Sequence, residues 1–258
     1  MTVKGEEVVV YKRPKSWMKG VHTHYCPGCT HGIVHRLLCE IFDELGIQES
    51  VVGIAPVGCA ALMYNYMDVD FIEAPHGRAP AVATGVKTVK PDSLVFTYQG
   101  DGDLASIGCS EIIHAANRGE NFSVIFINNA IYGMTGGQMA PTTLIGQKTT
   151  TSPYGRDAKL TGMPMRVCEM LSTLATEGYV ERVTVAAPRY IPAAKKAIRQ
   201  ALQNQIDGRG FSLVEVLSTC PTNWGMRPKE SCNWLIENMI PYFPLSKFKD
   251  FGSADERR

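Results

Sequence analysis

Leu94-Val-Phe-Thr-Tyr-Gln-Gly-Asp-Gly-Asp-Leu-Ala-Ser-Ile-Gly108 is the stretch on which the fold turns. Residues 94–99 are mostly apolar or aromatic, with Thr97 and Gln99 the exceptions and no turn-former among them, as in a strand buried on both faces. Gly100-Asp-Gly-Asp103 ends that strand abruptly, and a helical pattern over residues 107–118 follows. Residues 123–128, Ser-Val-Ile-Phe-Ile-Asn, then read as a second buried strand. Strand, helix and strand in this order make a crossover between parallel neighbours.

The same alternation extends outward in both directions. Ile33, Leu37, Ile41 and Leu45 recur every four residues, and Gly46 follows as a C-cap, so residues 32–45 form a helix. Residues 51–54 are a short buried strand and 77–89 a helix; 164–175 and 192–204 are helices, with strands at 181–186 and 212–217. Residues 1–25 read as an extended lead-in rich in Lys and Arg, and the tail from Thr219 as irregular. Residues 130–162, rich in Gly, Thr and Pro, carry neither helical nor strand periodicity; long loops of this kind in compact domains are usually functional. The expectation is an α/β fold, a mostly parallel sheet with helices on both faces, in one domain over residues 1–258.

Composition narrows the class. The 258 residues are 45% hydrophobic and 20% charged, enough for a real core and unlike disordered or collagenous chains. With 26 basic and 25 acidic side chains, the net charge of +1 argues against nucleic acid as the main partner. The uncharged stretch 51–67 is broken by Pro56 and two glycines and is no membrane span. The first residues show no apolar core or cleavage site of a secretory leader, so a cytoplasmic location is expected. Thiols stay reduced there, so the eight cysteines call for packing or metal binding rather than disulfides.

In open α/β sheets, ligands bind beyond the C-terminal strand ends. Two such ends carry unusual residues here, Gly100-Asp-Gly-Asp103 and Asn128-Asn129. Glycines let backbone N–H groups approach a phosphate, while the acidic side chains would repel it unless a hard cation such as Mg²⁺ lay between. Taken alone, Gly-Asp-Gly-Asp also fits a solvated turn. It is not the dinucleotide fingerprint, whose third glycine is misplaced, and Gly85-Val-Lys-Thr88 is no P-loop. Near the N-terminus, Cys26 and Cys29 are a close pair; with His22 and His24 they suit zinc as well as an iron–sulfur cluster.

Asp101 and Asn129 lie 28 residues apart, one crossover helix and one strand between them. This arrangement, followed by Tyr132-Gly-Met-Thr-Gly-Gly-Gln138, resembles the thiamine diphosphate-binding β subunit of the 2-oxoacid:ferredoxin oxidoreductases. The resemblance runs from Cys26-Pro-Gly-Cys29 through His76-Gly-Arg78 to Cys220-Pro-Thr222. It implies Mg²⁺ on Asp101, Asn129 and the carbonyl of Ile131, with Gly102, Asp103 and Thr135 around the diphosphate and Gly58, Cys59, Gly100, Tyr132 and Gly133 also at the cofactor. It implies a [4Fe–4S] cluster on Cys26, Cys29, Cys59 and Cys220, carried on extensions at both ends of the domain. Cys39, Cys109 and Cys168 then read as packing residues, and Cys232 has no supporting context. His76 and Arg78 are implied at the reacting centre; the other histidines read as structural.

The reaction so implied is oxidative decarboxylation of a 2-oxoacid with coenzyme A to acyl-CoA, CO₂ and reduced ferredoxin. The motifs resemble subunits assigned to 2-oxoisovalerate and other branched-chain 2-oxoacids, or to 2-oxoglutarate, more than those for pyruvate. An α subunit would supply the pyrimidine-binding domain and its glutamate, with γ and ferredoxin-like δ subunits or domains beside it. A non-oxidative thiamine decarboxylase or synthase subunit, and a zinc-binding module, are the rival readings; neither accounts for both motif sets.

Overall fold

The computed structural model describes residues 12–252; most of the basic lead-in's first half, on which the absence of a secretory leader was read, lies outside them. Its strands are β1 (Val51–Ala55), β2 (Asp70–Glu73), β3 (Leu94–Gly100), β4 (Ser123–Asn128), β5 (Tyr179–Thr184), β6 (Ser212–Leu217) and β7 (Ser246–Lys249). They form one sheet in the order β2-β1-β3-β4-β6-β5-β7, parallel throughout except for β7, which runs antiparallel to β5. Every residue of the central strands β4 and β6 is buried, including the polar Ser123, Asn128, Ser212 and Glu215 among their apolar neighbours.

Strand alternation divides the core into two layers. Phe96, Tyr98, Ile125, Ile127, Val214 and Val216 face α1 (His31–Leu45) and the long α6. Val95, Val124, Phe126 and Leu213 face α2 (Ala79–Val89), α3 (Cys109–Arg118) and α5. α4 (Ala158–Thr161) is one turn in the long loop. α5 is Val167–Ser172, shorter than its apolar pattern predicts, and α6 is Ile191–Ile206, slightly longer. No helix of the described residues is long and apolar enough to cross a membrane.

Two expectations are corrected. The tail is structured: α7 (Pro221–Trp224), α8 (Pro228–Trp234), a π-helical turn and α9 (Ile240–Tyr242) lead into β7. Pro occupies the first turn of each of these helices, and they are too short for an apolar period; a separate cluster of Leu235, Met239 and Phe243 holds them. β2, with acidic residues at both ends of Asp70-Phe-Ile-Glu73, is an exposed edge strand that shows no buried-strand pattern.

The parallel registers bring Ala55, Gly100, Asn128 and Leu217 to one edge of the sheet. From that edge the chain leaves toward Cys59, Asp101, Asn129 and Cys220. The far side is tied by a buried ion pair between neighbouring strands, Arg182 Nε to Glu215 Oε2 at 2.8 Å, both side chains at most 1% exposed. Glu169 of α5 completes it with bonds of 2.5 and 3.0 Å to the same guanidinium. Removing one partner of such a pair strands a charge in the core. Glu215→Ala is expected to lower unfolding free energy by about 3 kcal/mol in urea denaturation; a loss below about 1 kcal/mol would mean that Glu169 alone satisfies Arg182.

Candidate cofactor site

A cavity of about 110 Å³ opens at this sheet edge. Gly58 and Cys59 after β1, His76 before α2, the whole turn Gly100 to Asp103, Asn129, and Ile131 to Thr135 line it. These include all twelve positions at which the resemblance implies a cofactor contact. Arg78 is not brought to it: its guanidinium bonds Glu111 at 2.5 Å and the Ile107 carbonyl at 3.0 Å. His31, read as structural, does line it, with Nδ1 2.8 Å from the Tyr98 hydroxyl. Burial lowers the His31 pKa to about 4, which keeps the ring neutral.

Asp101 ends β3 with its side chain 2% exposed. Gly102 N–H donates to its Oδ1 at 2.8 Å, while Thr142 Oγ1 (2.7 Å) and Ile131 N–H (3.2 Å) donate to Oδ2. Burial nevertheless pushes its pKa up to about 6, because three donors do not replace hydration of a full charge. Asn129 Oδ1, beside it in the cavity wall, is buried and has no hydrogen-bond partner. A carboxylate short of counter-charge next to an orphaned amide oxygen is a hard-cation donor set, and these residues fit Mg²⁺. Gly102 leaves room for the ring of Tyr132, which a Cβ there would meet at 2.1 Å, and Tyr132 Oη donates to the Gly102 carbonyl at 3.1 Å.

Asp103, implied at the diphosphate, is turned away to other work. Its Oδ1 accepts from His76 Nδ1 (2.5 Å) and Gly77 N–H (2.7 Å), and its Oδ2 from Gln99 Nε2 (2.7 Å). It thereby fixes the His76 ring at the cavity wall. The chain from Gly102 to Ile107 is π-helical, not α-helical as an even helix after the turn would be, and α3 begins only at Cys109. Gly77 and Gly108 cross there in near contact: a Cβ on Gly108 would lie 2.6 Å from the Gly77 carbonyl oxygen.

The four cysteines implied as cluster ligands come from three segments. Thr219 Oγ1 donates to the Gly28 carbonyl at 2.6 Å and Thr30 pairs with Ser218 at 2.5 Å, tying the Cys26–Cys29 loop to the segment carrying Cys220. A Cβ on Gly133 would lie 3.5 Å from both Cys59 Sγ and Cys220 Sγ. Burial pushes the Cys29 thiol up to about 12, with Cys220, Cys59 and Cys26 each adding to the rise, and Cys59 up to about 11, with Cys220 and Cys26 adding. Thiols that raise one another in this way share one electrostatic neighbourhood. Among the described residues no three His, Cys, Asp or Glu side chains are set to hold a single metal ion. The His24 ring is hydrogen-bonded through Nδ1 to the Tyr66 hydroxyl. Four thiols from three segments fit the four-thiolate requirement of an iron–sulfur cluster. Cys39 and Cys168 are in the core; Cys109 and Cys232 are half-buried.

Sequence reasoning missed the residues that arrange this site. Thr142, Thr143 and Gln147 all lie in the aperiodic loop 130–162, whose composition alone marked it as functional. Asn223 donates through Nδ2 to the Gly133 carbonyl (2.7 Å) and to Cys220 Sγ (3.3 Å), and nothing in Pro221-Thr-Asn223 announces it. The buried Arg156 gathers the loop by donating to the carbonyls of Pro141 (2.8 Å), Thr143 (2.7 Å) and Gly162 (3.1 Å).

Comparisons with known proteins agree on one family. The thiamine pyrophosphate enzyme, C-terminal TPP binding domain, matches residues 56–216. The chain is 52% identical, over 91% of its length, to the ketoisovalerate oxidoreductase subunit VorA of Methanothermobacter thermautotrophicus, and spans 49% of that protein. It thus covers about half the length of such relatives. It is 38% identical, over 90% of its length, to the 2-oxoglutarate synthase subunit KorB of Methanocaldococcus jannaschii, covering 82% of it. The solved 2-oxoglutarate:ferredoxin oxidoreductase of Magnetococcus marinus, with 2-oxoglutarate, coenzyme A and succinyl-CoA bound, superposes with a TM-score of 0.71 at 31% identity. That alignment covers 86% of this chain and 72% of the other.

The glycine crossing behind His76 yields a direct check. Gly77 has φ 78°, and a Cβ there would lie 2.6 Å from the Gly108 nitrogen, so Gly77→Ala meets both backbone strain and a clash with backbone. Thermal denaturation is expected to show a lower Tm for Gly77→Ala, while Gly46→Ala, whose Cβ meets nothing within 4 Å, loses less. Equal losses would mean that the crossing accommodates a methyl group.

Proposed function

This chain belongs to the thiamine pyrophosphate-binding subunits of the 2-oxoacid oxidoreductases, and from that premise we propose that it is the cofactor-binding catalytic subunit of a 2-oxoacid:ferredoxin oxidoreductase. The reaction is oxidative decarboxylation of a 2-oxoacid with coenzyme A to acyl-CoA and CO₂, with electrons leaving to ferredoxin. The observation that carries the reading is the orphaned, buried Asn129 Oδ1 beside the buried Asp101 carboxylate. These two oxygens and the Ile131 carbonyl would hold Mg²⁺, whose charge would offset that of Asp101 and favour a diphosphate at the Gly100–Gly102 turn.

Thiamine diphosphate, when bound, supplies the carbon nucleophile and electron sink for decarboxylation. Cys26, Cys29, Cys59 and Cys220 would hold a [4Fe–4S] cluster, which would supply one-electron transfer. The chain's own residues orient and shield. Gly58, Cys59 and Gly133 line the cofactor cavity, and a Cβ on Gly133 would lie 3.5 Å from the Cys59 and Cys220 thiols, so cavity and thiols adjoin there. Asp103 holds Nδ1 of His76, leaving its other ring nitrogen for the cavity, where it takes or gives a proton to substrate or cofactor. Arg78, tied to Glu111, positions the His76 segment rather than the substrate.

The described residues, 12–252, are read as one diphosphate-type domain, with the segments before α1 and after β6 bringing Cys26, Cys29 and Cys220. A pyrimidine-binding domain with its glutamate comes from an α subunit. γ and ferredoxin-like δ components, and then ferredoxin, complete the path for electrons, in a reducing cytoplasm that suits the free thiols. A branched-chain 2-oxoacid such as 2-oxoisovalerate is the favoured substrate, supported by the 52% identity to a ketoisovalerate oxidoreductase subunit; 2-oxoglutarate ranks second on the 38% identity to a 2-oxoglutarate synthase subunit.

Anaerobic purification with the partner subunits tests this. Iron and sulfide in equal amounts, lost on Cys220→Ser, are the expected result; zinc without iron would overturn the cluster. Asp101→Ala is expected to weaken Mg²⁺-dependent thiamine diphosphate binding more than the roughly 10–100-fold typical of an indirect metal contact, and retained binding would refute the site. In a viologen-reduction assay with coenzyme A, branched-chain 2-oxoacids should give a higher kcat/KM than 2-oxoglutarate or pyruvate.

A further inference from the structure

Among the described residues, Ala130 is the one non-glycine residue with positive φ, at 55°. It stands between Asn129 and Ile131, two of the three groups assigned above to Mg²⁺. An L-residue resists this left-handed conformation, which persists only where its surroundings impose it. Side chains hold both of its backbone polar groups. Its N–H donates to Asn128 Oδ1 at 3.1 Å, and its carbonyl accepts from Thr143 Oγ1 (2.7 Å) and Gln147 Nε2 (3.2 Å).

Asn128 is itself oriented from behind. Its Nδ2 donates to Glu215 Oε1 at 2.7 Å, and Glu215 Oε2 accepts from Arg182 Nε at 2.8 Å. Asn128 and Glu215 are fully buried, and Arg182 is 1% exposed. A carboxylate only accepts hydrogen bonds, so it selects the NH₂ end of the Asn128 amide and leaves the oxygen to face Ala130. The pairing across β4, β6 and β5 thereby sets which end of Asn128 meets the turn.

We propose that Asn128 is a positioning residue for the Mg²⁺ site. Glu215, charged and held by Arg182, orients its amide, and the amide pins Ala130 in the conformation that presents Asn129 and Ile131 beside Asp101. The two adjacent asparagines thus divide the work, one holding the turn and the other facing the cation. This inference rests on the reading of Asp101, Asn129 and Ile131 as Mg²⁺ ligands.

The test measures thiamine diphosphate bound to the assembled complex as Mg²⁺ is titrated, with no turnover needed. Asn128→Ala is expected to raise half-saturating Mg²⁺ about tenfold, as outer contacts to metal ligands do, with full occupancy regained at high Mg²⁺. Adding Ala130→Gly, which adopts positive φ without steric cost, should recover most of that loss. A purely structural role for Asn128 would lower Tm without this rescue. If Asn128→Ala does not assemble, Asn128→Ser, too short to reach both Glu215 and Ala130, is read in the same titration. Wild-type half-saturation in the Asn128 variant, or a double variant no better than the single, overturns the inference while leaving the function standing. A wild-type complex that binds thiamine diphosphate without need of Mg²⁺ would instead overturn the metal site on which both rest.

Discussion

A carboxylate buried at the end of the central strand is the constraint around which this protein is organised. Asp101 is 2% exposed, and three donors hold it. One of them, the Gly102 N–H, belongs to the next residue in the chain; a second, the Ile131 N–H, comes within reach because β3 and β4 end side by side; the third, Thr142, comes from a loop folded back over them. Burial still leaves its pKa raised to about 6, so the protein alone does not balance the charge. An unpartnered amide oxygen, Asn129 Oδ1, lies in the same cavity wall.

The sheet and its functional edge were legible because they rest on local chemistry. Runs of Val, Ile and Phe have few alternatives to a buried strand, and Gly-Asp-Gly-Asp between a strand and a helix marks a turn built for close approach. β4, β6 and the course of β3 follow directly. The tail was not legible, because its helices are each about one or two turns long and are held by Trp224, Trp234, Leu235 and Phe243 across the chain rather than by an amphipathic repeat. β2 was hidden for the opposite reason: an edge strand has no buried face to imprint a pattern.

At the site, the same division holds between residues that carry chemistry and residues that aim it. Aspartate, asparagine and cysteine at fixed spacings are visible in one dimension. Thr142, Thr143, Gln147 and Asn223 act through single hydrogen bonds across separations of 13 to 90 residues. Nothing in a Thr-Thr pair or a lone Gln distinguishes such a donor from a solvated loop residue. The long segment 130–162 was recognisable as functional only in aggregate, through its glycines, threonines and lack of period. Arg156, meeting five of its carbonyls and that of Met163 just beyond it, gives that segment a centre in place of an apolar core.

Two aspartates two residues apart end in opposite roles, and the difference lies in which donors surround each. Asp103 accepts from an imidazole, a backbone N–H and a glutamine amide, and both of its oxygens are engaged in holding Gly77 and His76. Its charge is thereby directed into the protein, away from a phosphate that it would repel. Asp101 has hydroxyl and backbone donors and the empty acceptor of Asn129 beside it, so its charge is directed toward the cavity. The π-helical turn that follows separates them: lengthening the hydrogen-bonded ring from Asp103 to Gly108 lets Gly108 pass against Gly77, which carries His76 to the wall. One acidic motif thus places a buried carboxylate at the cavity wall and braces the neighbouring histidine.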